Sequence, residues 1–392
     1  MTERSPLPRA ADVVVIGAGA IGCSIAYHLA KRGQHGVVVL ERDAVGAGST
    51  SKAAGGIRCQ WAHEVEMRFS IESLRFFERF EDEMGVPCDF HREGYLFLLF
   101  DEADVARYRQ AIAMQKAMGV DVRLLGPDDL RALVPDVRVD DVLAAAWGPN
   151  DGHASPNDVV QAYARRAREL GARIFEETAV TGLRLTGGRV AAVETTRGSI
   201  SPGVVVDAAG PQAAIVGRMA GLDLPVHPRR RHVFVTGDFE RVRHPMPLVI
   251  DRGSGFYVRS EGRSLLMSPG DAEDVADPAQ PPAVDWGKLE ETVAKAVRRV
   301  PVVESAGVRS AWAGLRPLTP DEHAILDWAP GVANMLCAVG FCGHGFQHSP
   351  AAGATVAEMI LDDGRTSIDI APLRLARFAG GPMRARTRDG AD

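Results

Sequence analysis

Three glycines spaced one and two residues apart, Gly17, Gly19 and Gly22 in "VIGAGAIGCS", close an apolar run and open an amphipathic one. Glu41 ends the next apolar run, "GVVVLER", about 20 residues on. That pattern suits a dinucleotide. Gly17 permits a tight turn, Gly19 lets backbone N–H groups approach a pyrophosphate at the positive end of a helix, and Gly22 lets helix and strand pack closely. Glu41 can accept hydrogen bonds from ribose hydroxyls. The motif alone suits NAD and FAD equally. A second stretch, "GFCGHGFQHS" from Gly340 to Ser349, follows the apolar run "NMLCAVG" with glycines and a histidine ahead of a new helix. So many small residues in one turn imply a backbone that comes close to something other than protein.

The elements that must hold these turns are legible from periodicity. "ADVVVIGAGAIGCSIAYHLAKRG" reads as buried strand, glycine turn and helix, with "GVVVLER" as the next strand. "SPNDVVQAYARRARELGARIFEETAVTGL" reads as a helix capped by Ser155 or Asn157, stopped at Gly171 and followed by a strand. "GVVVDAAGPQAAIVGRMAG" and "NMLCAVGFCGHGFQHSPAAGATVAEMILDDG" repeat the order strand, turn, helix. Between them "EGYLFLLF", "HVFVTGDF" and "GFYVRSEGRSLLMSPGD" carry hairpin-like patterns. The expected fold class is α/β, with a doubly wound, Rossmann-like domain and an interleaved antiparallel-sheet α+β domain. Residues 1–84, 148–222 and 322–380 form the first, residues 85–147 and 223–321 the second, and 381–392 a flexible tail. The Pro- and Asp-rich "SPGDAEDVADPAQPPAVDW" is expected as a surface loop.

Composition narrows the ligand. The chain has 392 residues, 46% hydrophobic and 24% charged, as a packed globular protein does. A formal net charge of -6 with scattered Lys and Arg gives no face for nucleic acid, so a small molecule is the expected ligand. Five cysteines, at 23, 59, 88, 337 and 342, are odd in number and lack CxxC spacing, which argues against a disulfide framework or a metal site. They read as reduced thiols of a cytoplasmic protein. No apolar run reaches the roughly 18 residues of a membrane span, and the first breaks too early for a secretory signal.

Taken together, "AVGAGSTSKAAGGIRCQW", "WAGLRPLTPDEHAILD" and "GFCGHGFQHSPAAG" resemble the D-amino-acid oxidase superfamily of flavoproteins, in particular its sarcosine oxidase, glycine oxidase and dimethylglycine dehydrogenase branch. The resemblance runs from about Asp12 to Leu361. It implies FAD, and oxidation of the C–N bond of a small amino acid, with a secondary or N-methyl amine preferred. The hydride goes to flavin N5 and an imine is left to hydrolyse. It also places Gly17, Gly19, Gly22, Glu41, Arg42, Ser49, Thr50, Ser51, Val180, Gly210, Gly343, Gly345, Phe346 and Gln347 along the cofactor. The Gly343–Gly345 turn abuts the flavin ring, where a helix N-terminus and free N–H groups favour the reduced anion. His344 can add a hydrogen bond there or simply pack.

Arg316 falls at the family's carboxylate-binding arginine, Arg58 at a second substrate arginine and Tyr257 at an active-site tyrosine. A guanidinium fork meets a carboxylate with two parallel bonds, which suits the arginines to that task. Three departures matter. Gly314 stands where some relatives attach the flavin through cysteine, which implies noncovalent FAD. Gln347 replaces a clamp lysine, and the relatives' oxygen-activating lysine maps near Leu266, which carries no charge. The electron acceptor is therefore oxygen or another species. A dehydrogenase and a non-catalytic FAD-bearing assembly factor are the alternatives within the resemblance, and a nicotinamide dehydrogenase is the alternative outside it. His63 and His323 are expected as surface or capping residues.

Overall fold

The computed structural model describes residues 6–270, 273–275 and 277–379; the polar tail from Gly380 lies outside them, as does part of the Pro- and Asp-rich loop. The first apolar run, Ala10–Ile16, is the middle of a sheet. It pairs in parallel on both edges, with Val13 opposite Val204 on one side and Val37 on the other. Strands covered on both faces read as unbroken apolar runs, which is why "VVVI" and "VVVL" do not alternate. Along the sheet the order is Ile325–Trp328, Met335–Val339, Gly198–Asp207, Ala10–Ile16, Val37–Leu40 and Arg173–Phe175. A meander, Val180–Thr186 and Arg189–Thr195, joins through Gly198–Asp207.

That order reverses direction between Ala10–Ile16 and Gly198–Asp207, and a crevice at such a reversal is where open α/β sheets bind ligands. Gly17 lies there with φ +103°, and a Cβ built on it would sit 2.6 Å from the Ala208 carbonyl oxygen. The helix Ala20–Lys31 follows, pressed so close that a Cβ on Gly22 would fall 1.9 Å from the Gly17 oxygen.

The last helix, Gly345–Leu361, packs along this first one. A Cβ on Gly353 would collide with Ser24 Oγ at 2.2 Å, and that hydroxyl donates to the Ser349 oxygen at 2.6 Å. Their first turns also meet, Gly345 lying against Ile21. Pro350 sits inside this helix without an N–H to give the Phe346 carbonyl; the Ser349 hydroxyl donates there at 2.8 Å instead. The helix Pro156–Glu169 is capped by Ser155, whose Oγ accepts from the Asp158 N–H, and not by Asn157.

The second sheet has nine strands among the described residues. Its longest pairing joins His227–Thr236 to Val308–Leu318, antiparallel from His227 opposite Leu318 to Thr236 opposite Val308. The hairpin Tyr257–Glu261 with Ser264–Ser268 continues it. One contact departs from the antiparallel pattern: Leu248–Asp251 runs parallel to Tyr95–Leu99, because the chain reaches it by a long excursion and not by a turn. The loop after the first βαβ unit ties the two sheets together. Ser49 Oγ donates to the Leu315 oxygen at 2.5 Å and Trp312 Nε1 to the Lys52 oxygen at 3.0 Å, while Gly314 has no Cβ that would crowd Lys52.

Candidate active site

At the crevice the glycine turn meets its acid. Glu41 Oε2 accepts from the Ala18 N–H at 2.8 Å and Oε1 from the Asp43 N–H at 3.0 Å, so the carboxylate is fixed beside the start of the first helix. Thr50 Oγ1 accepts from the Ala20 N–H at 3.0 Å, and Ser51 Oγ donates back to the Ala47 and Gly48 oxygens. Gly48 and Gly210 (φ +56°) would meet nothing within 4 Å through a Cβ, so their backbones border open space. Val180 is half-buried in the meander, opposite Thr195, and Arg42 is exposed, donating to Asp43 and to the Ala279 oxygen. Bare backbone, a helix N-terminus and a positioned carboxylate around one open crevice fit a dinucleotide such as FAD.

The other wall is cationic. Arg58 is 4% exposed; its guanidinium lies 3.8 Å from the Trp61 ring centroid and 5.1 Å from that of Phe97. Its NH1 donates to the Gln60 oxygen at 2.5 Å, and its backbone N–H donates to Gln347 Oε1 at 2.8 Å. Gln347, expected at the cofactor, thus also anchors this arginine. Arg316 lies on Val308–Leu318 and donates through NH2 to the Cys342 oxygen at 2.6 Å. Cys342 holds that carbonyl in place from a left-handed backbone, φ +50°, and the bare Gly343 beside it admits the guanidinium, since a Cβ there would be 2.3 Å from Arg316 Nε. Among the described residues neither Arg58 nor Arg316 has a carboxylate within salt-bridge range.

His344, at the N-cap of the helix Gly345–Leu361, feels both charges, and its ring is edge-on to Trp61 at 4.5 Å. Burial first, then the charges of Arg58 and Arg316, hold its imidazole well below the usual range, so it is neutral. Phe346, in the turn that follows, is buried against Phe77. Tyr257 is 9% exposed and clusters with Tyr95 and Phe97, whose rings flank Arg58. Burial pushes the Cys342 thiol up to about 12, which suits a packed group and not a redox thiol.

Several contributors escaped the sequence reading. Trp61, three residues after Arg58, ends the stretch "AVGAGSTSKAAGGIRCQW" but has no role assigned there. Arg231 lies opposite Gly314 on the neighbouring strand and adds to the field on His344; alternation within "RRRH" was the available signal. His323, expected as a surface or capping residue, is half-buried, with its Nδ1 meeting Glu66 Oε1 at 2.5 Å. Asp151 is buried below Arg58, accepting from the Cys59 N–H at 2.9 Å and from Gln60 Nε2 at 3.0 Å.

Burial pushes the Asp151 carboxyl up to about 7, against the Gln60 amide, the Cys59 N–H and the Arg58 charge. The folded chain therefore keeps a proton that the unfolded chain releases from 3.8 upward. Wild-type stability should fall as pH rises from 3.8 toward about 7 on this account. Asp151→Asn should lack that part of the slope, so urea midpoints of the two proteins at pH 5 and pH 8 should diverge in favour of the variant at the higher pH. Parallel midpoints would show that Asp151 is ionised in the fold.

The family model described as "DAO: FAD dependent oxidoreductase" matches residues 12–359. The chain is similar to mitochondrial sarcosine dehydrogenase from Homo sapiens, at 33% identity over 386 residues; the match covers 95% of this chain and 42% of that protein. It thus spans under half the length of that relative. Among solved structures, L-proline dehydrogenase from P. horikoshii superposes with a TM-score of 0.89 at 31% identity, covering 96% of this chain and all of that one. Glycine oxidase from Geobacillus kaustophilus superposes with a TM-score of 0.84 at 25% identity, covering 94% of this chain and 99% of that one.

Proposed function

The chain belongs to the DAO family of FAD-dependent oxidoreductases, and from that premise we propose that it oxidises the C–N bond of a small amino acid carrying a secondary or N-methyl amine. The observation that carries the proposal is the pair of guanidiniums, Arg58 and Arg316, both acting on His344 with no acidic partner among the described residues. Two cations so placed suit a carboxylate anion. Bound FAD supplies the two-electron acceptor that the oxidation needs. Glu41, Ser49, Thr50, Ser51 and the Gly17–Gly22 turn would hold its dinucleotide half, and the Gly343–Gly345 turn would lie at the ring.

The protein's own part is positioning and charge. Arg316 keeps one N–H on the Cys342 carbonyl and has the others to offer a carboxylate, as Arg58 does beyond its bond to Gln60. The Tyr257 hydroxyl makes no hydrogen bond to the described residues and is available to the same carboxylate. The positive field also favours a neutral amine over an ammonium, and the neutral amine is the form that can be oxidised to an imine. The names of the relatives, sarcosine dehydrogenase, L-proline dehydrogenase and glycine oxidase, support a small amino acid as substrate.

Leu266 is 1% exposed in the apolar cluster with Tyr257, so leucine stands at the position of the relatives' oxygen-activating lysine, which supports an electron acceptor other than oxygen. Five free, buried cysteines support a reducing, cytoplasmic setting. Anaerobic addition of N-methyl and cyclic amino acids should bleach the yellow flavin band with at least one member, and colour should return slowly in air. A panel in which nothing bleaches the band would remove the enzymatic reading in favour of a non-catalytic flavoprotein.

A further inference from the structure

Oxidation of an amino acid delivered as its ammonium form leaves a proton to be disposed of in a pocket already crowded with positive charge. A cavity of about 20 Å³ adjoins that pocket, lined by Glu66, Phe69, Phe341, His344, His348 and Leu373. One water needs about 10–15 Å³ and two or more polar partners. Glu66, in the first turn of the helix Glu64–Glu78, is 8% exposed, and its Oε2 has no hydrogen-bond partner among the described residues. Leaving such a buried oxygen unsatisfied is costly, because it gives up its hydration with no bond in exchange. Its other oxygen, Oε1, meets His323 Nδ1, and the His323 side chain is 20% exposed, so the pair reaches solvent. On the inner side His348 Nε2 is engaged with the Ser70 hydroxyl at 2.8 Å, and the His348 residue also lines the cavity.

We propose that this cavity holds one water bonded to Glu66 Oε2 and to the His344–His348 pair, and that Glu66 and His323 carry the proton of the substrate amine out to solvent. The proposal rests on the amine-oxidising reading above. The balance is simple: the ammonium N–H bond breaks and its proton goes to His344, while the proton on the other ring nitrogen passes to the water. The water gives one of its protons to Glu66 Oε2, and the Glu66–His323 pair releases one to bulk. No electrons move in any of these steps. A ring that is neutral at rest, as His344 is, suits a conduit better than a store.

The charges around the cavity set the direction. Arg58, Arg316 and Arg231 act on His344 from the substrate side and repel a proton held there. Glu66 and Glu322 line the cavity on the other side. Burial disfavours the charged His323 ring, but Glu66, and Asp321 after it, more than offset this, and its pKa is raised; Arg377 opposes them weakly and is itself bonded to Asp321 at 2.7 Å. His63 packs edge-on against His323 at 4.7 Å. The outer end of the route is thus where a proton is best accommodated.

The test is anaerobic stopped-flow reduction of the holoenzyme by the panel amine that bleaches wild type, followed against pH for Glu66→Gln. Below the pKa of the free amine the limiting rate should fall about tenfold, with substrate Kd unchanged. Above it, where the amine arrives neutral, the rate should come within twofold of wild type. His323→Gln should give the same pattern and serves if the first variant does not fold. In parallel, the ring ¹⁵N resonances of His344 and His348 in substrate-free holoenzyme should move in Glu66→Gln. A loss equal at every pH, or no loss together with unmoved ring resonances, overturns the outlet while leaving amine oxidation standing. If nothing bleaches wild type, the amine reading falls and the outlet falls with it.

Discussion

Arg316→Ala is expected to raise KM for carboxylated amines about 100-fold while the purified protein stays yellow. A charge-assisted, two-bond contact to a carboxylate is worth about 2–3 kcal/mol when it is sheltered from water, and 100-fold is about 2.7 kcal/mol. Among the described residues this guanidinium makes one hydrogen bond, to the Cys342 oxygen, besides packing on Gly343, so its removal should leave the fold and the flavin content unchanged. Arg316→Lys should recover part of the loss, because a point charge keeps the attraction but not the fork. Steady-state kinetics on the amino acid and on its decarboxylated amine would separate the cases. If KM for the acid rises no more than for the amine, the carboxylate is held elsewhere, and Arg58 is the next arginine to test.

The second large effect belongs to Gly17→Ala, which should yield colourless protein, with FAD affinity reduced at least 100-fold. Two costs coincide at this residue. Its φ of +103° strains any residue with a Cβ by about 1–3 kcal/mol, and the added carbon would lie 2.6 Å from the Ala208 carbonyl, a backbone atom that cannot swing aside. Relieving the clash means separating Ala10–Ile16 from Gly198–Asp207 at the mouth of the crevice, where the pyrophosphate must lie. Absorbance at the flavin band relative to that of the protein, and reconstitution with added FAD, would measure the loss. A variant that purifies as yellow as wild type would show that the turn tolerates the carbon and that the crevice is not where the dinucleotide sits.

Local rules made a large part of this molecule readable in advance. Fully buried parallel strands announce themselves as apolar runs, and "VVVI" could be little else. The glycines of the first turn were legible from their spacing, and contacts require two of them: Gly22 packs on the Gly17 oxygen within the same βαβ unit, and Gly17 on the Ala208 oxygen at the end of the strand beside it. Ser155 and Gly171, which begin and end one helix, obey capping rules that span four residues. Arg58 and Arg316 were named through the company of motifs near them in the chain, and the fold sets both beside His344, although 258 residues separate the two in sequence.

Long-range placement was not readable. Asp151 reads as a turn residue in "GPNDGH", and its role as the buried support beneath Cys59 and Gln60 exists only because the strand Ala144–Gly148 ends under that loop. Glu66 and His323 lie 257 residues apart and carry no shared pattern, so each alone reads as an ordinary surface group. The same holds for the parallel pairing of Leu248–Asp251 with Tyr95–Leu99, since a strand's sequence records which of its faces is buried but not which neighbour it takes.

The amino-acid sequence by itself determined the βαβ frame and the dinucleotide turn, because those depend on spacings of a few residues that steric rules make nearly unambiguous, while the kind of chemistry came from the family resemblance of its motifs. The tertiary structure alone decided that two arginines would act on a neutral histidine without acidic partners among the described residues, and that a buried carboxylate would border a cavity on its far side. Charge and burial are properties of a neighbourhood, and in a folded chain most neighbours are distant in sequence.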